Sequence, residues 1–351
     1  MDFLAKNLLK WYEINKRDLP WRQVSDPYKV WVSEIILQQT QVIQGLAYYN
    51  RFVNQYPTVK DLAEAPFDAI MLLWQGLGYY SRARNMHEAA KFILKEYKGT
   101  FPDEYLKIRQ LKGIGDYTAA AIASFSFNLP YAVVDGNVYR FLSRFFGIST
   151  PIDSTEGKKY FQKLANELLP HKKAAEYNQA IMEFGALYCR PVNPDCMNCI
   201  FQNKCEAFAK NKVKNLPVKS KKVKTKNRYL NYIILTNKGQ VYINKRSKND
   251  IWKGLYDFFL IESTEALKSE QVLKNIELKK ILNGKKYTLK SVSHEYKHIL
   301  THQILYVKFF HIESGTALAY KPLIKVKLNE LSSFAFPKVI DKHMKDALLI
   351  K

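Results

Sequence analysis

Leu111-Lys112-Gly113-Ile114-Gly115-Asp116-Tyr117-Thr118-Ala119-Ala120-Ala121-Ile122 is the stretch on which the fold of this 351-residue chain turns. Two glycines flank one apolar residue, and a run of small residues follows at helix-compatible spacing. Glycines let successive backbone N–H groups converge on an anion, and the helix that follows adds the partial positive charge of its N-terminus. A lone Gly-x-Gly is ordinarily a turn. The longer L-x-G-x-G-x-x-T-A-x-A-I string is far more specific, and describes a glycine hairpin leading into a helix that would clamp a phosphate whatever base it carries.

Outward from the hairpin, apolar residues recur at three and four spacing over Phe3 to Ile14, Val30 to Tyr49, Ala65 to Leu73, Arg84 to Tyr97, Thr118 to Phe127, Val138 to Phe146, Tyr160 to Leu169 and Tyr177 to Tyr188. The pattern predicts a mainly α domain over residues 1–208. Downstream the pattern changes. Tyr229 to Leu235 and Val241 to Asn244 flank the hairpin signal Thr236-Asn237-Lys238-Gly239-Gln240, Ile304 to His311 is rich in strand formers, and Thr264 to Leu282 reads as helix, so residues 229–351 are expected to form an α+β domain. No internal repeat is visible.

Composition narrows the class. With 47% hydrophobic, 25% charged and 14% aromatic residues the chain has material for packed cores, which excludes disorder, collagen-like repeats and a disulfide scaffold. No apolar run reaches the ~18 residues of a membrane span, and the charged first twenty residues lack a signal peptide's apolar core, so a soluble, cytoplasmic protein with no membrane partner is expected. The net charge of +23 is uneven, with +4 in residues 1–208 and +19 downstream. Lys210 to Arg228 holds nine cations and no acid. It reads as a solvated basic linker over 209–228, fit for solubility or for phosphate contact.

The four cysteines fall together as Cys189, Cys196, Cys199 and Cys205, a loop over 189–205. Disulfides are disfavoured in a reducing compartment. Both tetrahedral zinc and a [4Fe–4S] cluster take four thiolates, and the spacing, which is not the paired C-x2-C of zinc ribbons, tilts toward iron–sulfur without excluding zinc. Either group would pin a loop that lacks a core of its own. Arg190 and Lys204 lie in this loop, where they are able to face phosphate.

Two carboxyls carry the chemistry. Glu34 has Val30, Trp31, Leu37 and Gln38 one turn away on a helix, so burial should raise its pKa and keep it protonated as a general acid requires, although a salt-bridged helical Glu is the plainer reading. Asp135, in Val133-Val134-Asp135-Gly136-Asn137-Val138, suits a helix N-cap and would be held ionised by the helix dipole, opposite developing positive charge. Carboxyls in opposite protonation states are the arrangement that cleaves glycosidic bonds.

Together, Glu34 to Thr40, Gly76-Leu77-Gly78-Tyr79-Tyr80, the hairpin, Val134 to Val138 and the cysteine loop resemble the adenine DNA glycosylase (MutY-type) family of the helix-hairpin-helix superfamily. The similarity runs strongly through residues 5 to 208 and more weakly beyond. It implies a helical barrel with its helix-hairpin-helix near 111–122, an iron–sulfur subdomain combining the N-terminal helix with segments after the hairpin, and a Nudix-like C-terminal domain that recognises 8-oxoguanine. The implied activity is excision of adenine mispaired with 8-oxoguanine or guanine in double-stranded DNA, by a monomer, in the cytoplasm and on the nucleoid if the source is bacterial. The flipped adenine would be protonated on N7 by Glu34, and Asp135 would stabilise the oxocarbenium-like sugar. Tyr117 and Asn137 would hold these groups, Gln39 and Tyr79 would fill or wedge the space around the lost base, Gly113 and Gly115 would grip the backbone, and the four cysteines would hold a [4Fe–4S] cluster.

Two departures matter. The related endonuclease III branch carries a Schiff-base lysine where this chain has Tyr117, and tyrosine forms no imine, so a monofunctional glycosylase is expected. The family's Phe-Ser-His motif, which reads 8-oxoguanine, is matched by Leu300-Thr301-His302, preceded by His298; the imidazole is kept, the ring is lost and the hydroxyl gains a methyl. Against these stand a bifunctional glycosylase/lyase, a non-catalytic DNA-binding protein, and a nucleotide pyrophosphatase, the last of which lacks its Glu-Glu metal box in residues 229–351.

Overall fold

The computed structural model describes residues 3–220 and 225–350. The chain separates into two compact units, one gathering Met1–Glu64 with Asn85–Lys221 and the other Ala65–Arg84 with Lys222–Lys351. The helices are α1 (Phe3–Asn15), α2 (Pro27–Leu37), α3 (Val42–Gln55), α4 (Val59–Glu64), α5 (Phe67–Leu73), α6 (Ser81–Glu96), α7 (Tyr105–Gln110), α8 (Asp116–Phe127), α9 (Gly136–Phe145), α10 (Thr155–Leu168), α11 (Ala174–Leu187) and α12 (Glu206–Ala209). Among the described residues no strand precedes residue 226.

Local chemistry explains where the site helices start and stop. Asp26 accepts from the Tyr28 N–H at 2.9 Å, and Pro27 fills the first turn of α2. Val30 to Ile36 is buried throughout, so α2 runs through the interior. The apolar spacing over Val30 to Tyr49 predicts one helix, but the chain breaks between Leu37 and Val42, with Gln39 in the left-handed region at φ 56°. Small side chains at Ala119, Ala120, Ala121 and Ala123 let α8 lie close against α2. The core behind the site joins α1, α9, α10 and α11, with Trp11 packed edge-on to Phe184 at 5.0 Å and Phe184 edge-on to Phe201 at 5.2 Å between ring centroids. Each fully buried ring of this kind contributes about 2–3 kcal/mol of transfer free energy.

The second unit is built on an eight-stranded mixed sheet. Its strands are β1 (Lys226–Asn237), β2 (Gln240–Lys245), β3 (Tyr256–Asp257), β4 (Phe259–Ser263), β5 (Tyr287–Val292), β6 (Tyr296–Ile299), β7 (Gln303–Ser314) and β8 (Ile324–Lys327). β1 and β7 lie parallel at the centre, and the other pairings are antiparallel. The expected hairpin between β1 and β2 turns on two residues, Lys238 and Gly239, at φ 46° and 76°. One face of β1 and β7 packs Ile233 and Phe310 on α13 (Ser269–Leu273) and α14 (Ile276–Leu282). The other stacks Phe309 on His343 of α15 (Lys338–Asp346), at 3.8 Å between ring centroids. Helices on both faces account for the unbroken burial from Leu230 to Leu235. The single helix expected over Thr264 to Leu282 is two short ones, because Asn275 leaves the first to cap the second through the Glu277 and Leu278 N–H groups.

Two further differences concern the joints. Residues 65–84, which read as part of the helical half, dock on the sheet unit: Lys245 and the Tyr256 hydroxyl both bond Asp68, Gln75 donates to Asp341 and accepts from the Phe336 N–H, and Arg84 donates to the Lys253 carbonyl at 2.8 Å. The basic run, expected as a solvated linker, is held at both described ends. Leu216 is buried with its carbonyl on Arg144, Ile152 donates to the Val218 carbonyl and Ser220 donates to Asp153, while Arg228 sits inside β1 between Asp250 and Glu262. Lys221, Lys222 and Lys224 of that run lie outside the described residues. No helix among the described residues is long and apolar enough to cross a membrane.

Candidate active site

A cavity of about 480 Å3 opens within the helical unit, and Glu34, Gln39, Tyr117, Asp135 and Asn137 all line it. Glu34 comes from the last turn of α2, Tyr117 from the first turn of α8, and Asp135 and Asn137 from the start of α9. Burial pushes the Glu34 carboxyl up to about 7 against its hydrogen bond with Tyr117; nearby Asp135 adds to the rise and Arg22 opposes it. Burial also drives the Tyr117 hydroxyl well above its usual value. That residue is therefore a neutral donor at any working pH.

Asp135 is the N-cap of α9. Its carboxylate accepts from the Asn137 N–H at 2.9 Å, the Val138 N–H at 2.8 Å and the Asn137 amide at 2.6 Å. The helix dipole was expected to hold it ionised. Burial instead raises its pKa, and the capping bonds and Arg140 pull the other way. The two carboxyls thus differ in donor supply: Glu34 faces the cavity from an apolar helix, whereas Asp135 sits in a cradle of N–H groups that favours the charged form. Asn137 is itself held, accepting from Arg140 at 2.7 Å, and Gly185 lets α11 come so close that a Cβ there would meet the Asn137 side chain at 2.7 Å.

The glycine hairpin joins α7 to α8. Gly113 adopts φ 80°, and a Cβ there would lie 2.7 Å from the Asn85 Cβ, so both conformation and space demand glycine. Gly115 is the N-cap of α8, where no side chain caps the helix. The start of α8 therefore has no side-chain cap, and a Cβ at Gly115 would meet nothing within 4 Å. Arg109 supports the turn through Asp116 and the Ile114 carbonyl.

Cys189, Cys196, Cys199 and Cys205 line one small pocket walled by Phe141, Phe145 and Phe184, with Arg144 donating to the Cys189 sulfur at 3.5 Å. Burial raises the thiols of Cys196 and Cys205, and pushes Cys199 up to about 11. Among the described residues no three His, Cys, Asp or Glu side chains converge as ligands of a single ion. Four cysteines lining one apolar pocket supply the donor set of a group that takes four thiolates. Lys204 in this loop lies 3.9 Å over the Phe3 ring, while Arg190 is exposed.

Tyr79, Thr301 and His302 occupy a different cavity, of about 470 Å3, inside the sheet unit. Thr301 and His302 are exposed at the tip of the β6–β7 hairpin, and the Tyr79 hydroxyl lies 2.7 Å from the Thr301 hydroxyl. His298 and Trp252 line the same space, Trp252 with φ 63°, an unusual conformation for a bulky residue. Sequence reasoning did not single out Trp252, nor Arg22 and Glu183, which line the first cavity as an ion pair at 2.7 Å. Arg140 and Arg144 were also missed: Arg140 Nε bonds the Cys189 carbonyl at 2.7 Å and Arg144 bonds the Arg190 carbonyl at 2.8 Å. Their spacing of three and seven from Asn137, one face of a helix, is the signal that finds them.

Comparison with known proteins agrees with this architecture. Residues 32–170 match the HhH-GPD superfamily of base excision DNA repair proteins, and residues 231–346 match a NUDIX domain. Helical fold, glycine hairpin and catalytic-type cavity thus define a base excision repair glycosylase with a Nudix-like second domain. The adenine DNA glycosylase of Buchnera aphidicola subsp. Baizongia pistaciae is 36% identical over 86% of this chain and 84% of its own, and that of Mus musculus is 42% identical over 58% and 41%. The chain belongs to the adenine DNA glycosylase family and is an enzyme of base excision repair. Among solved structures, a thermostable thymine-DNA glycosylase superposes with a TM-score of 0.55 at 30% identity, covering 59% of this chain and 95% of that one. An endonuclease III–DNA complex shares the fold at 20% identity, with a TM-score of 0.52 over 60% of this chain and 95% of that one.

Proposed function

We propose that this enzyme excises adenine mispaired with 8-oxoguanine or guanine in duplex DNA as a monofunctional glycosylase. The observation that carries the reading is the meeting of Glu34 and Asp135 in one cavity beside Tyr117. A flipped adenosine entering that cavity presents its base to a protonated carboxyl and its sugar to an N–H-cradled carboxylate. Glu34 delivers its proton to adenine N7, so the departing base leaves neutral. Asp135 faces the positive charge that builds on the sugar, and Asn137 fixes its orientation. Water completes the hydrolysis. Tyr117 donates to Glu34 and cannot form an imine, and among the described residues no lysine lines the cavity, so the strand is left intact after base loss.

Gly113 and Gly115 with the start of α8 bind the backbone of the strand, Gln39 fills or wedges the space around the lost base, and Tyr79, which shares a cavity with Thr301 and His302, wedges the duplex where those two read the opposite base. Cys189, Cys196, Cys199 and Cys205 are the residues that would hold a [4Fe–4S] cluster, whose service here is to pin the loop beside the helical core. The test uses duplexes carrying A opposite 8-oxoguanine, G, C or T, incubated with wild type and Glu34→Gln and read with and without alkali. Breaks that require alkali and disappear in Glu34→Gln agree with the proposal; breaks without alkali, or trapping of the protein on DNA by borohydride, contradict it.

A further inference from the structure

The loop that presents Tyr79 is unusual in its backbone. Gly76, Gly78 and Tyr79 stand at φ 94°, 72° and 46°, so left-handed residues crowd a five-residue turn, and one of them is a large aromatic residue. Tyr79 is 46% exposed, so burial alone does not hold it. A bulky side chain keeps such a backbone only where its surroundings over-determine it. The surroundings here converge on Arg82.

Arg82 is 9% exposed. Its Nη2 donates to the Leu77 carbonyl at 3.4 Å and the Gly78 carbonyl at 3.3 Å, and its backbone N–H donates to the Tyr79 carbonyl at 2.8 Å. The guanidinium lies 5.4 Å from the Trp74 ring centroid and 5.5 Å from that of Tyr79. Trp74 in turn donates its indole N–H to the Gly78 carbonyl at 3.2 Å. One planar cation therefore spans a buried ring and an exposed ring while tying down the carbonyls between them. A lysine ammonium offers neither the plane nor the fork.

We infer that Arg82 is a positioning residue for opposite-base recognition, holding Tyr79 in the orientation at which its hydroxyl meets Thr301. Arg82 touches no reacting atom, so its influence on the reaction runs through Tyr79. The inference rests on the reading of Tyr79 and Thr301 as part of the recognition site.

A double-mutant cycle on the full chain tests it. Single-turnover excision is measured for A opposite 8-oxoguanine and A opposite G, and their ratio is compared in wild type, Arg82→Gln, Arg82→Lys, Tyr79→Ala and Arg82→Gln/Tyr79→Ala. Both Arg82 variants are expected to lower the ratio about tenfold, and Arg82→Gln to change it less than about twofold once Tyr79 is alanine. A purely structural role moves both duplexes together and leaves the ratio where it was. Full recovery in Arg82→Lys, or an Arg82→Gln effect undiminished on top of Tyr79→Ala, overturns the inference. If Tyr79→Ala shifts the ratio and Arg82→Gln does not, the inference alone fails. If Tyr79→Ala leaves the ratio unchanged, the reading of Tyr79 fails and takes the inference with it.

Discussion

The cavity around Glu34 and the cavity around Tyr79 are nearly equal in size, at about 480 and 470 Å3, yet they are built on opposite plans. The first is made by the ends of packed helices, with Glu34 7% exposed and Asp135 bonded to the start of its own helix. The second is made by a loop and a hairpin tip, with Tyr79, Thr301 and His302 all exposed. Proton transfer needs a carboxyl that burial has moved toward neutrality, which only a packed interior provides. Reading a base needs donors and rings that reach outward, and a hairpin tip provides those without disturbing a core. On the proposed reading, chemistry and recognition fall in different units of the chain.

That separation fixes what each substitution should do. Glu34→Gln removes the proton donor and should slow single-turnover excision by about a thousandfold, equally for A opposite 8-oxoguanine and A opposite G. A loss confined to one duplex would mean that the helical cavity also reads the partner base. Thr301→Val keeps the shape and deletes the hydroxyl that meets Tyr79; the ratio between the two duplexes should fall about fivefold to tenfold with excision opposite G nearly unchanged. Equal loss on both duplexes would merge the two sites into one.

The smallest effect is thermodynamic. Glu34 is raised in the folded state, so its contribution to stability is fully present below the unfolded carboxyl value near 4.5 and is lost as pH rises through about 7. Above pH 8 the folded protein must hold a buried carboxylate, and Glu34→Gln should be more stable than wild type by about 2–3 kcal/mol, a difference that shrinks toward pH 4.5. Denaturant unfolding at pH 5 and pH 8.5 measures it. A variant less stable than wild type at pH 8.5 would show that Glu34 is placed there for the fold.

Much of this was legible in residues. The glycine hairpin, the capping role of Asp135, the apolar surroundings of Glu34 and the gathering of the cysteines all rest on local patterns, and each is present in the structure. The break after Leu37 was missed: the polar run Gln38-Gln39-Thr40-Gln41 does interrupt the apolar spacing, but nothing in glutamine announces the left-handed backbone of Gln39. Nor was the docking of residues 65–84, whose helices carry an ordinary apolar stripe; Asp68 and Gln75 look solvated until Lys245 and Asp341 are brought to them from more than 170 positions away. The solvated linker failed for a similar reason. Its described lysines, Lys210, Lys212, Lys214, Lys219 and Lys226, are exposed as expected, but the backbone of Leu216 and Val218 finds partners on Arg144 and Ile152 that composition does not reveal. Long-range polar pairing, invisible to periodicity, accounts for the last two of these differences.

The pH dependence of single-turnover excision, with A opposite 8-oxoguanine at saturating enzyme, bears most directly on the neutral carboxyl at the centre of this account. The rate constant should hold level below pH 6 and fall about tenfold for each unit above about 7, tracking the protonated fraction of Glu34. A rate constant that stays flat from pH 6 to pH 9 would mean that no acid with this pKa protonates the adenine, and the assignment of Glu34 would be wrong.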